Sequence, residues 1–264
     1  MKLKDKVAVI TGAGRGIGRF IALSFAGEGA DLVLAARSRD QLEKVAKDVE
    51  KKGRRSIVVP CDVSSSRDVQ HLAETVINEF GKLHILVHSA GISKRSKFSE
   101  YADETWMEVI RVNLFGVYLC TKALLPMIQE IGGGRIIMIA STAGKNPVPF
   151  NTAYSASKHG LLGLTKSLAS ELAITGYPGI TVNAICPFFV KTDMFSGSQG
   201  YVSQMIRNMN LSKEDVIERA VSRNLQHRIL DPEEIASLAV YLASDDAKGI
   251  TGQAINVCGG SVFH

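Results

Sequence analysis

The fold of this chain is decided by residues 7–18, which read Val-Ala-Val-Ile-Thr-Gly-Ala-Gly-Arg-Gly-Ile-Gly. Four apolar residues predict a buried strand, and the glycines after them predict a tight turn into a helix. Gly12, Gly16 and Gly18 fit the pattern T-G-x-x-x-G-x-G, whereas G-x-G-x-x-G fails because Ile17 stands where glycine is needed. Such glycines let the backbone approach a pyrophosphate at a helix N-terminus. The segment predicts a dinucleotide site, and a merely flexible turn is the alternative.

Short apolar runs and helical stretches alternate along the rest of the chain. Strands are predicted at residues 7–10, 31–36, 56–59, 84–87, 135–139, 180–185 and 253–257. Helices are predicted at 15–29, 39–52, 66–80, about 103–130 with an interruption near its start, 154–175, irregularly over 192–230, and up to 243 from a cap at Asp231. This alternation predicts an α/β fold, a doubly wound (Rossmann-type) parallel sheet of about seven strands with helices on both faces. Because no linker-like stretch divides it, we expect residues 1–264 to form a single domain.

Composition limits the classes of partner. Hydrophobic residues make up 45% of the 264 residues and charged residues 22%, as in ordinary globular proteins. The net charge of +5 comes without a block of lysines and arginines, so no nucleic-acid or membrane partner is expected. No unbroken apolar run approaches the ~20 residues that cross a membrane, and the first residues are not expected to act as a signal peptide. The milder interpretation of the charge is attraction to anionic small molecules or an acidic carrier protein.

The four cysteines are scattered without the spacing of metal ligands, so no metal site is expected. They are interpreted as reduced core or strand-end residues of a cytoplasmic protein. They are Cys61, Cys120, Cys186 and Cys258.

The end of the second strand predicts which dinucleotide binds. A carboxylate for the ribose hydroxyls of NAD is expected about 20 residues after the glycine turn. That position is Ala36, and Arg37 follows it. An arginine suits a 2′-phosphate, and Arg15 could close on the same group from the glycine turn. We therefore expect NADPH (NADP) rather than NAD, the alternative for Arg37 being a solvated loop charge.

Tyr154 and Lys158 lie one helical turn apart on the same face of a predicted helix. An ammonium at that distance favours the phenolate and should lower the tyrosine pKa, which makes the phenol a usable proton donor and acceptor. Taken alone, the pair could equally be two side chains on a solvated helix.

Together these motifs resemble the short-chain dehydrogenase/reductase family over essentially the whole chain. The resemblance implies a catalytic group of Asn113, Ser141, Tyr154 and Lys158. It implies hydrogen bonding of the substrate oxygen by Ser141, proton donation by Tyr154, and a water held by Asn113 that reconnects Lys158 with solvent. The expected cofactor contacts are Gly12, Arg15, Gly16, Ile17, Gly18, Arg37, Asp62, Val63, Ala90, Gly91, Tyr154, Lys158, Pro187, Val190 and Thr192.

Three departures from the family pattern stand near the expected site. His88 and Ser89 replace the two asparagines of Asn-Asn-Ala-Gly, so the hydrogen bonds of those asparagines must be made differently. Phe188 follows Pro187 where glycine is usual, and Cys258 replaces an aspartate. The first two departures are expected to lie close to the substrate.

Within the family the chain is most similar to aromatic polyketide ketoreductases and 3-oxoacyl-[acyl-carrier-protein] reductases, on residues 139–145, 154–160 and 254–260. This likeness implies NADPH-dependent reduction of a ketone, on a small or carrier-linked β-keto acyl or polyketide-like substrate. Two alternatives stay open. One is an NAD(P)-dependent secondary-alcohol dehydrogenase oxidising a hydroxy acid, a cyclic alcohol or a hydroxyacyl-CoA, and the other is a non-catalytic dinucleotide sensor. The family also implies a homotetramer built from helices 104–130 and 154–175 and the last strand.

The substrate side is predicted from position in the family. A lid is expected around residues 192–230, facing a wall at residues 147–150. Lys94, Arg95 and Lys97 could meet a phosphopantetheine phosphate or an acidic carrier protein, the alternative being a solvated loop. The side chains that could line the pocket, or else simply pack together, are Phe188, Phe189, Phe195, Tyr201, Met205 and Met209.

Overall fold

The computed structural model describes residues 1–209 and 211–264, and a parallel sheet of seven strands runs through that part of the chain. The strands are β1 (Val7–Thr11), β2 (Asp31–Ala36), β3 (Ser56–Pro60), β4 (Ile85–His88), β5 (Gly134–Ile139), β6 (Ile180–Pro187) and β7 (Ala254–Val257). Their order across the sheet is β3-β2-β1-β4-β5-β6-β7. The predicted fold class is confirmed. The order reverses between β1 and β4, and ligands bind at such a switch point, beyond the carboxyl ends of the strands.

The helices cover both faces of the sheet. They are α1 (Gly16–Gly27), α2 (Arg39–Glu50), α3 (Ser66–Phe80), α4 (Asp103–Ile110), α5 (Gly116–Glu130), α6 (Thr152–Ile174), α7 (Asp193–Ser196), α8 (Tyr201–Met209), α9 (Lys213–Val221) and α10 (Pro232–Ala243). Alternate residues of β1 face opposite sides: Ala8 and Ile10 pack with α1, α2 and α10, whereas Val7 and Val9 pack with α3, α5 and α6. This alternation is why the central strands are largely apolar on both faces.

The stretch from residue 103 to 130 is one long helical element with a local change of winding. A π-helical segment, Arg111–Phe115, separates α4 from α5, which confirms the predicted interruption. The stretch is 28 residues long with a mean hydropathy of 1.3, so length and composition alone would let it cross a membrane. The stretch is not an unbroken apolar run, since charged residues such as Glu108, Arg111 and Lys122 interrupt it. A core helix passes the same test, and here α5 buries Val117, Cys120 and Leu124 against the sheet.

The glycine turn is packed too tightly for any side chain. A Cβ on Gly12, whose φ is +69°, would lie 2.7 Å from the backbone nitrogen of Ala90. A Cβ on Gly18 would lie 2.3 Å from the carbonyl oxygen of Gly12. The hydroxyl of Thr11 accepts hydrogen bonds from the Ser89 and Ala90 amides at 3.2 and 3.3 Å. These contacts join the end of β1, the start of α1 and the end of β4.

We predict that Gly18→Ala lowers the free energy of unfolding by about 2–3 kcal/mol, because the new methyl group meets backbone that cannot move aside. Gly27→Ala, in the same helix, is the matched control, since an added Cβ there meets only the end of Lys52 at 4.0 Å. Gly27→Ala should leave stability unchanged or raise it by about 0.4–1 kcal/mol through the unfolded state. Urea unfolding followed by circular dichroism measures both; equal stability of the two variants would contradict the packing argument.

Candidate active site

Four polar side chains meet beyond the carboxyl ends of β4, β5 and β6. Asn113 lies in the π-helical segment, Ser141 follows β5, and Tyr154 and Lys158 lie on successive turns at the start of α6. Because α6 begins at Thr152, both of its residues face back toward the sheet edge. The structure therefore brings the four predicted catalytic residues together.

Lys158 holds its ammonium inside the protein, with only 4% of the residue exposed. The Nζ atom donates to the carbonyl oxygen of Ile139 at 2.8 Å and lies 5.5 Å from the centroid of the Tyr154 ring. A Cβ on Gly91 would lie 3.8 Å from the same Nζ atom. Burial lowers the pKa of Lys158 from 10.5 to about 8, since the charged form loses its hydration. Both protonation states are thus accessible near neutral pH.

Asn113 fixes the loop after β4 beside that ammonium. Its Oδ1 accepts from the amide of Ile92 at 2.8 Å, and its Nδ2 donates to the carbonyl oxygen of Ile92 at 2.9 Å. Nδ2 also donates to the Ser157 hydroxyl at 3.1 Å, and that hydroxyl donates to the Tyr154 carbonyl oxygen at 2.7 Å. The amide therefore ties the loop carrying Gly91 to α6. The water relay predicted for Asn113 stays a prediction.

Tyr154 is half-buried, and its pKa lies above the ordinary value of 10.0. Burial is the largest cause, whereas a hydrogen bond with Ser141 and the charge of Arg95 act in the opposite direction. The expectation that Lys158 lowers this pKa was wrong, because the ammonium is directed to the Ile139 carbonyl and the phenol is desolvated. Tyr154 thus keeps its proton at neutral pH.

Ser141 is oriented by backbone groups on both sides. Its Oγ accepts from the amide of Ala143 at 3.1 Å and donates to the carbonyl oxygen of Pro187 at 3.5 Å. The long second contact leaves the hydroxyl hydrogen available to a better acceptor beside Tyr154.

The turn between β1 and α1 fits the pyrophosphate of a dinucleotide. Among the described residues no side chain caps the N-terminus of α1, and its first turn carries no acidic group. The free amides of that turn, including those of Ile17 and Gly18, and the helix dipole favour an anion there. Gly16 has a φ of +52°, and a Cβ on it would lie 3.4 Å from the Thr192 methyl group. Thr192 therefore faces the glycine turn across the cleft.

The two arginines expected at the cofactor have different surroundings in the structure. Arg15 donates to Asp193 at 3.3 Å, and both of these side chains are about two-thirds exposed. This contact joins the glycine turn to the start of α7. The contact of Arg15 with a 2′-phosphate stays a prediction. Arg37 itself is exposed directly after the last residue of β2.

The other expected cofactor contacts lie along the same edge of the sheet. Asp62 follows β3 and accepts from the amide and hydroxyl of Ser64 at 2.9 and 2.7 Å. Val63 contacts the first residue of α5, Gly116, on which a Cβ would meet its side chain at 2.8 Å. Pro187 ends β6, and Val190 forms an isolated bridge with Leu230.

The side chains expected to line a pocket are largely the core of the lid. Phe195 and Tyr201 are buried in a separate cluster with Val202, Val216, Ala220 and Ile229, against which Phe189 and Met205 pack. Met209 is 44% exposed. Most of the six side chains therefore pack against one another instead of lining a pocket, which was the alternative interpretation. Phe188, which is half-buried, contacts the cluster through Phe189 at a centroid distance of 4.4 Å.

The basic loop after β4 does not act as one cluster. Lys97 pairs with Glu100 at 3.0 Å, and Lys94 is exposed. Arg95 instead turns inward: its guanidinium carbon lies 4.8 Å from the centroid of the Tyr201 ring. Its Nη1 donates to the carbonyl oxygen of Pro149 at 3.3 Å, so the segment predicted as the facing wall does adjoin it.

Sequence reasoning missed two groups at this site and the position of a third. They are the Ser157 hydroxyl, the Ile139 carbonyl that receives Lys158, and the Arg95 guanidinium beside Tyr154. Ser157 could have been found, since it lies three residues after Tyr154 on the same face of α6. The Ile139 carbonyl oxygen could not have been predicted, because a backbone acceptor leaves no signal in a single sequence. The same holds for the direction in which the long Arg95 side chain points.

Two departures from the family pattern have local structural solutions. His88 is buried in β4 and its Nε2 lies 2.9 Å from the Thr121 hydroxyl on α5, so a side chain still links β4 to that helix. Burial alone lowers the pKa of His88 to about 3. The Cys258 thiol lies against backbone groups of the turn after β7, donating to the Val262 carbonyl oxygen at 3.5 Å. Hydrogen bonds with Val262, Ser261 and Gly260 outweigh its burial and lower its pKa.

Comparisons with known proteins identify the family of the chain. The family model described as short chain dehydrogenase matches residues 6–200. A protein of Streptomyces coelicolor named as a ketoacyl reductase is 39% identical over 258 residues, which cover 97% of each chain. A crystal structure of an actinorhodin polyketide ketoreductase variant with NADPH matches at a TM-score of 0.91 and 38% identity, over 97% of each chain. Carveol dehydrogenase from Mycobacterium avium, in complex with NAD, matches at 0.90 and 27% identity over 98% of each chain. The resemblance inferred from the motifs is confirmed.

We predict that His88→Asn changes how stability depends on pH. Below its ordinary pKa of 6.5 the unfolded chain protonates His88, whereas the folded protein does not until about pH 3, so acid destabilises the fold. From about pH 7.5 to about pH 4.5 the wild type should lose about 2–3 kcal/mol more than His88→Asn. His84, whose pKa is lowered to about 4 chiefly by burial, is present in both proteins and cancels. Urea unfolding at both pH values measures the difference; parallel losses would contradict a neutral buried His88.

Proposed function

Because the chain belongs to the short-chain dehydrogenase family, we propose that it catalyses the NADPH-dependent reduction of a ketone to a secondary alcohol. The chain is an NAD(P)-dependent oxidoreductase, and its similarity to ketoacyl reductases supports ketone reduction. The proposed substrate is a β-keto acyl or polyketide-like compound, small or carrier-linked. The observation that carries the proposal is the convergence of Asn113, Ser141, Tyr154 and Lys158 on one sheet edge, beside an uncapped helix N-terminus.

Tyr154 is proposed as the general acid. Its raised pKa keeps the phenol protonated at neutral pH, which suits donation to an oxygen that gains negative charge. Ser141, held by the Ala143 amide, hydrogen-bonds that oxygen and orients the carbonyl. Lys158, with its pKa near 8, supplies the proton that restores the phenol, and Asn113 holds the surrounding loop in place. The bound nicotinamide cofactor supplies the hydride.

The preference for the phosphorylated cofactor is proposed from Arg37. This exposed guanidinium follows β2, where a carboxylate would favour the ribose hydroxyls of NAD. The residues proposed to hold the rest of the dinucleotide are Gly12, Arg15, Gly16, Ile17, Gly18, Asp62, Val63, Ala90, Gly91, Tyr154, Lys158, Pro187, Val190 and Thr192. The match with an NAD-bound carveol dehydrogenase supports an oxidative, NAD-dependent alcohol dehydrogenase as the second candidate.

We further propose one domain over residues 1–264, in which residues 192–230 form a lid above the substrate, and a cytoplasmic homotetramer. The lid has its own apolar cluster, which supports its moving as a unit. Phe115 and Tyr118 stack on the outer side of the long helix and are each 44% exposed, which supports burial of this face between subunits. Light scattering of the purified protein measures the assembly mass.

We predict that Tyr154→Phe lowers kcat/KM for ketone reduction about 10²- to 10⁴-fold, because the general acid is removed. Cofactor binding, followed by NADPH fluorescence, should remain within a few-fold of wild type. Tyr241→Phe, on the outer side of α10, is the control and should keep full activity. Full turnover by Tyr154→Phe would refute the assignment. Wild-type protein that binds NADPH but reduces no ketone and oxidises no alcohol in a substrate panel would indicate a non-catalytic sensor.

We predict that Arg37→Gln raises the KM for NADPH about tenfold or more and leaves the KM for NADH unchanged, since only NADPH offers the 2′-phosphate to the guanidinium. Arg39→Gln is the matched control, because Arg39 is equally exposed and pairs with Glu43 on α2 at 3.8 Å. Initial rates with both cofactors measure the effect. An equal change with NADPH and NADH would contradict a role in cofactor choice.

A further inference from the structure

Arg95 is held in place by two contacts at the mouth of the site. One face of its guanidinium stacks over Tyr201, with 4.8 Å between the guanidinium carbon and the ring centroid. Its Nη1 donates to the Pro149 carbonyl oxygen at 3.3 Å. A guanidinium carries five N–H donors, and in the described part of the chain this is the one side-chain hydrogen bond that Arg95 makes. The other donors remain for a group that does not belong to the protein.

The charges around Arg95 leave it unneutralised. Within residues 1–209 and 211–264, no carboxylate lies within 4.0 Å of its guanidinium. The titratable groups that act on it are Tyr201, Tyr154 and Arg223. Arg54 is also half-buried and Arg135 is buried, and each of them, in contrast to Arg95, pairs with a carboxylate, at 2.9 and 3.1 Å. A half-buried charge without a carboxylate partner is unfavourable, so this position would favour an external anion.

A second guanidinium lies on the far side of the same aromatic row. The guanidinium carbon of Arg223 is 5.7 Å from the centroid of the Phe188 ring. Phe188, Phe189 and Tyr201 follow one another with centroid distances of 4.4 and 4.5 Å, so the row leads from Arg223 to Arg95. The two arginines repel each other, since the charge of Arg223 lowers the pKa of Arg95. An anion bound at Arg95 would reduce that repulsion.

An anion bound to Arg95 would lie close to the carbonyl group that is reduced, because Arg95 lies near Tyr154. The loop that carries Arg95 is bonded to the segment leading into α6: Arg95 donates to the Pro149 carbonyl oxygen, and the Ser96 amide donates to the Phe150 carbonyl oxygen at 3.0 Å. These bonds hold the guanidinium near the start of α6, which carries Tyr154, and its charge acts to lower the pKa of that phenol. A free carboxylate two carbons from a ketone can reach both groups at once. The phosphate of a phosphopantetheine arm is separated from the thioester by a long flexible chain and cannot lie beside the carbonyl in an extended arm.

Resting on the proposed ketone reduction, we propose that Arg95, assisted by Arg223, binds a free carboxylate of the substrate. Of the small and carrier-linked substrates proposed above, this site selects the small ones, and short 3-oxo acids are then preferred over their neutral esters and over carrier-bound thioesters. Phe188 contributes because Arg223 packs on its ring. The glycine that is usual at this position in the family would offer Arg223 no such ring.

The test compares substrates that differ in one charge. Wild-type protein should show a kcat/KM for 3-oxobutanoate well above that for methyl 3-oxobutanoate, with NADPH. Arg95→Gln should raise the KM for 3-oxobutanoate about tenfold to a hundredfold and leave the methyl ester within a few-fold, because only the acid loses a charge-assisted contact. Arg223→Gln should act in the same direction with a smaller effect. Arg219→Gln, which removes an exposed charge from α9 of the same lid, is the control.

Three outcomes would overturn the proposal. Equal losses on the acid and the ester would mean that Arg95 acts through Tyr154 ionisation, and a loss confined to 3-oxobutanoyl-CoA would assign it to a phosphate. No preference for the acid in the wild type would remove the carboxylate site. In each of these cases ketone reduction itself survives.

A binding experiment keeps the inference testable without turnover. Calorimetric titration of 3-oxobutanoate into protein saturated with NADP⁺, a mixture that cannot reduce the ketone, should show binding at least tenfold weaker in Arg95→Gln than in wild type. Equal affinities would overturn the carboxylate site. If wild-type protein binds the acid in this way but reduces no ketone, the proposed function fails while the carboxylate site stands.

Discussion

A lysine ammonium inside the protein is the constraint on which the site depends. Lys158 is almost completely buried, and its Nζ atom has the Ile139 carbonyl oxygen as its hydrogen-bond acceptor. A buried charge is stable only where groups around it are fixed, because it cannot reorganise solvent. The surrounding backbone is correspondingly close: a Cβ on Gly144 would lie 2.7 Å from the Lys158 carbonyl oxygen. The start of α6 is thus pressed against the turn after β5, and Tyr154 and Ser141 are positioned by the same packing.

The π-helical segment connects this constraint to the fold. A π-helical turn inserts an extra residue into a helix and is commonly found at functional sites. Here it turns Asn113 inward, where the amide clamps Ile92 and contacts Ser157. The helix then resumes at Gly116, the residue whose lack of a side chain lets α5 approach Val63. The irregular winding therefore lets one long element pack on the sheet and also support the loop beside Lys158.

The sequence was sufficient for the framework and for predicting which four polar side chains lie together at the sheet edge. Apolar runs predicted the strands because strands covered on both faces have no polar side, and the glycine turn was predicted because its glycines stand where backbones touch. The pKa of Tyr154 was predicted in the wrong direction, since spacing along a helix reveals the neighbour but not the desolvation. The partner of Arg15 and the inward turn of Arg95 were also missed, because both depend on contacts with residues distant in sequence. Predictions based on the chain's local geometry thus succeeded, and those that required the direction of a long side chain did not.

The electrostatics of the site favour a protonated Tyr154, which can donate a proton during reduction, over a Tyr154 phenolate. Burial raises the pKa of Tyr154 and lowers that of Lys158, so desolvation favours the uncharged form of both groups. Arg95 works against this trend at Tyr154, because its positive charge stabilises the phenolate. A substrate carboxylate bound to Arg95 would neutralise that charge, and the phenol would then hold its proton more firmly until the oxygen of the substrate becomes negative. Substrate binding and proton retention would in this way be coupled through a single guanidinium, and a neutral ketone would leave that coupling unused.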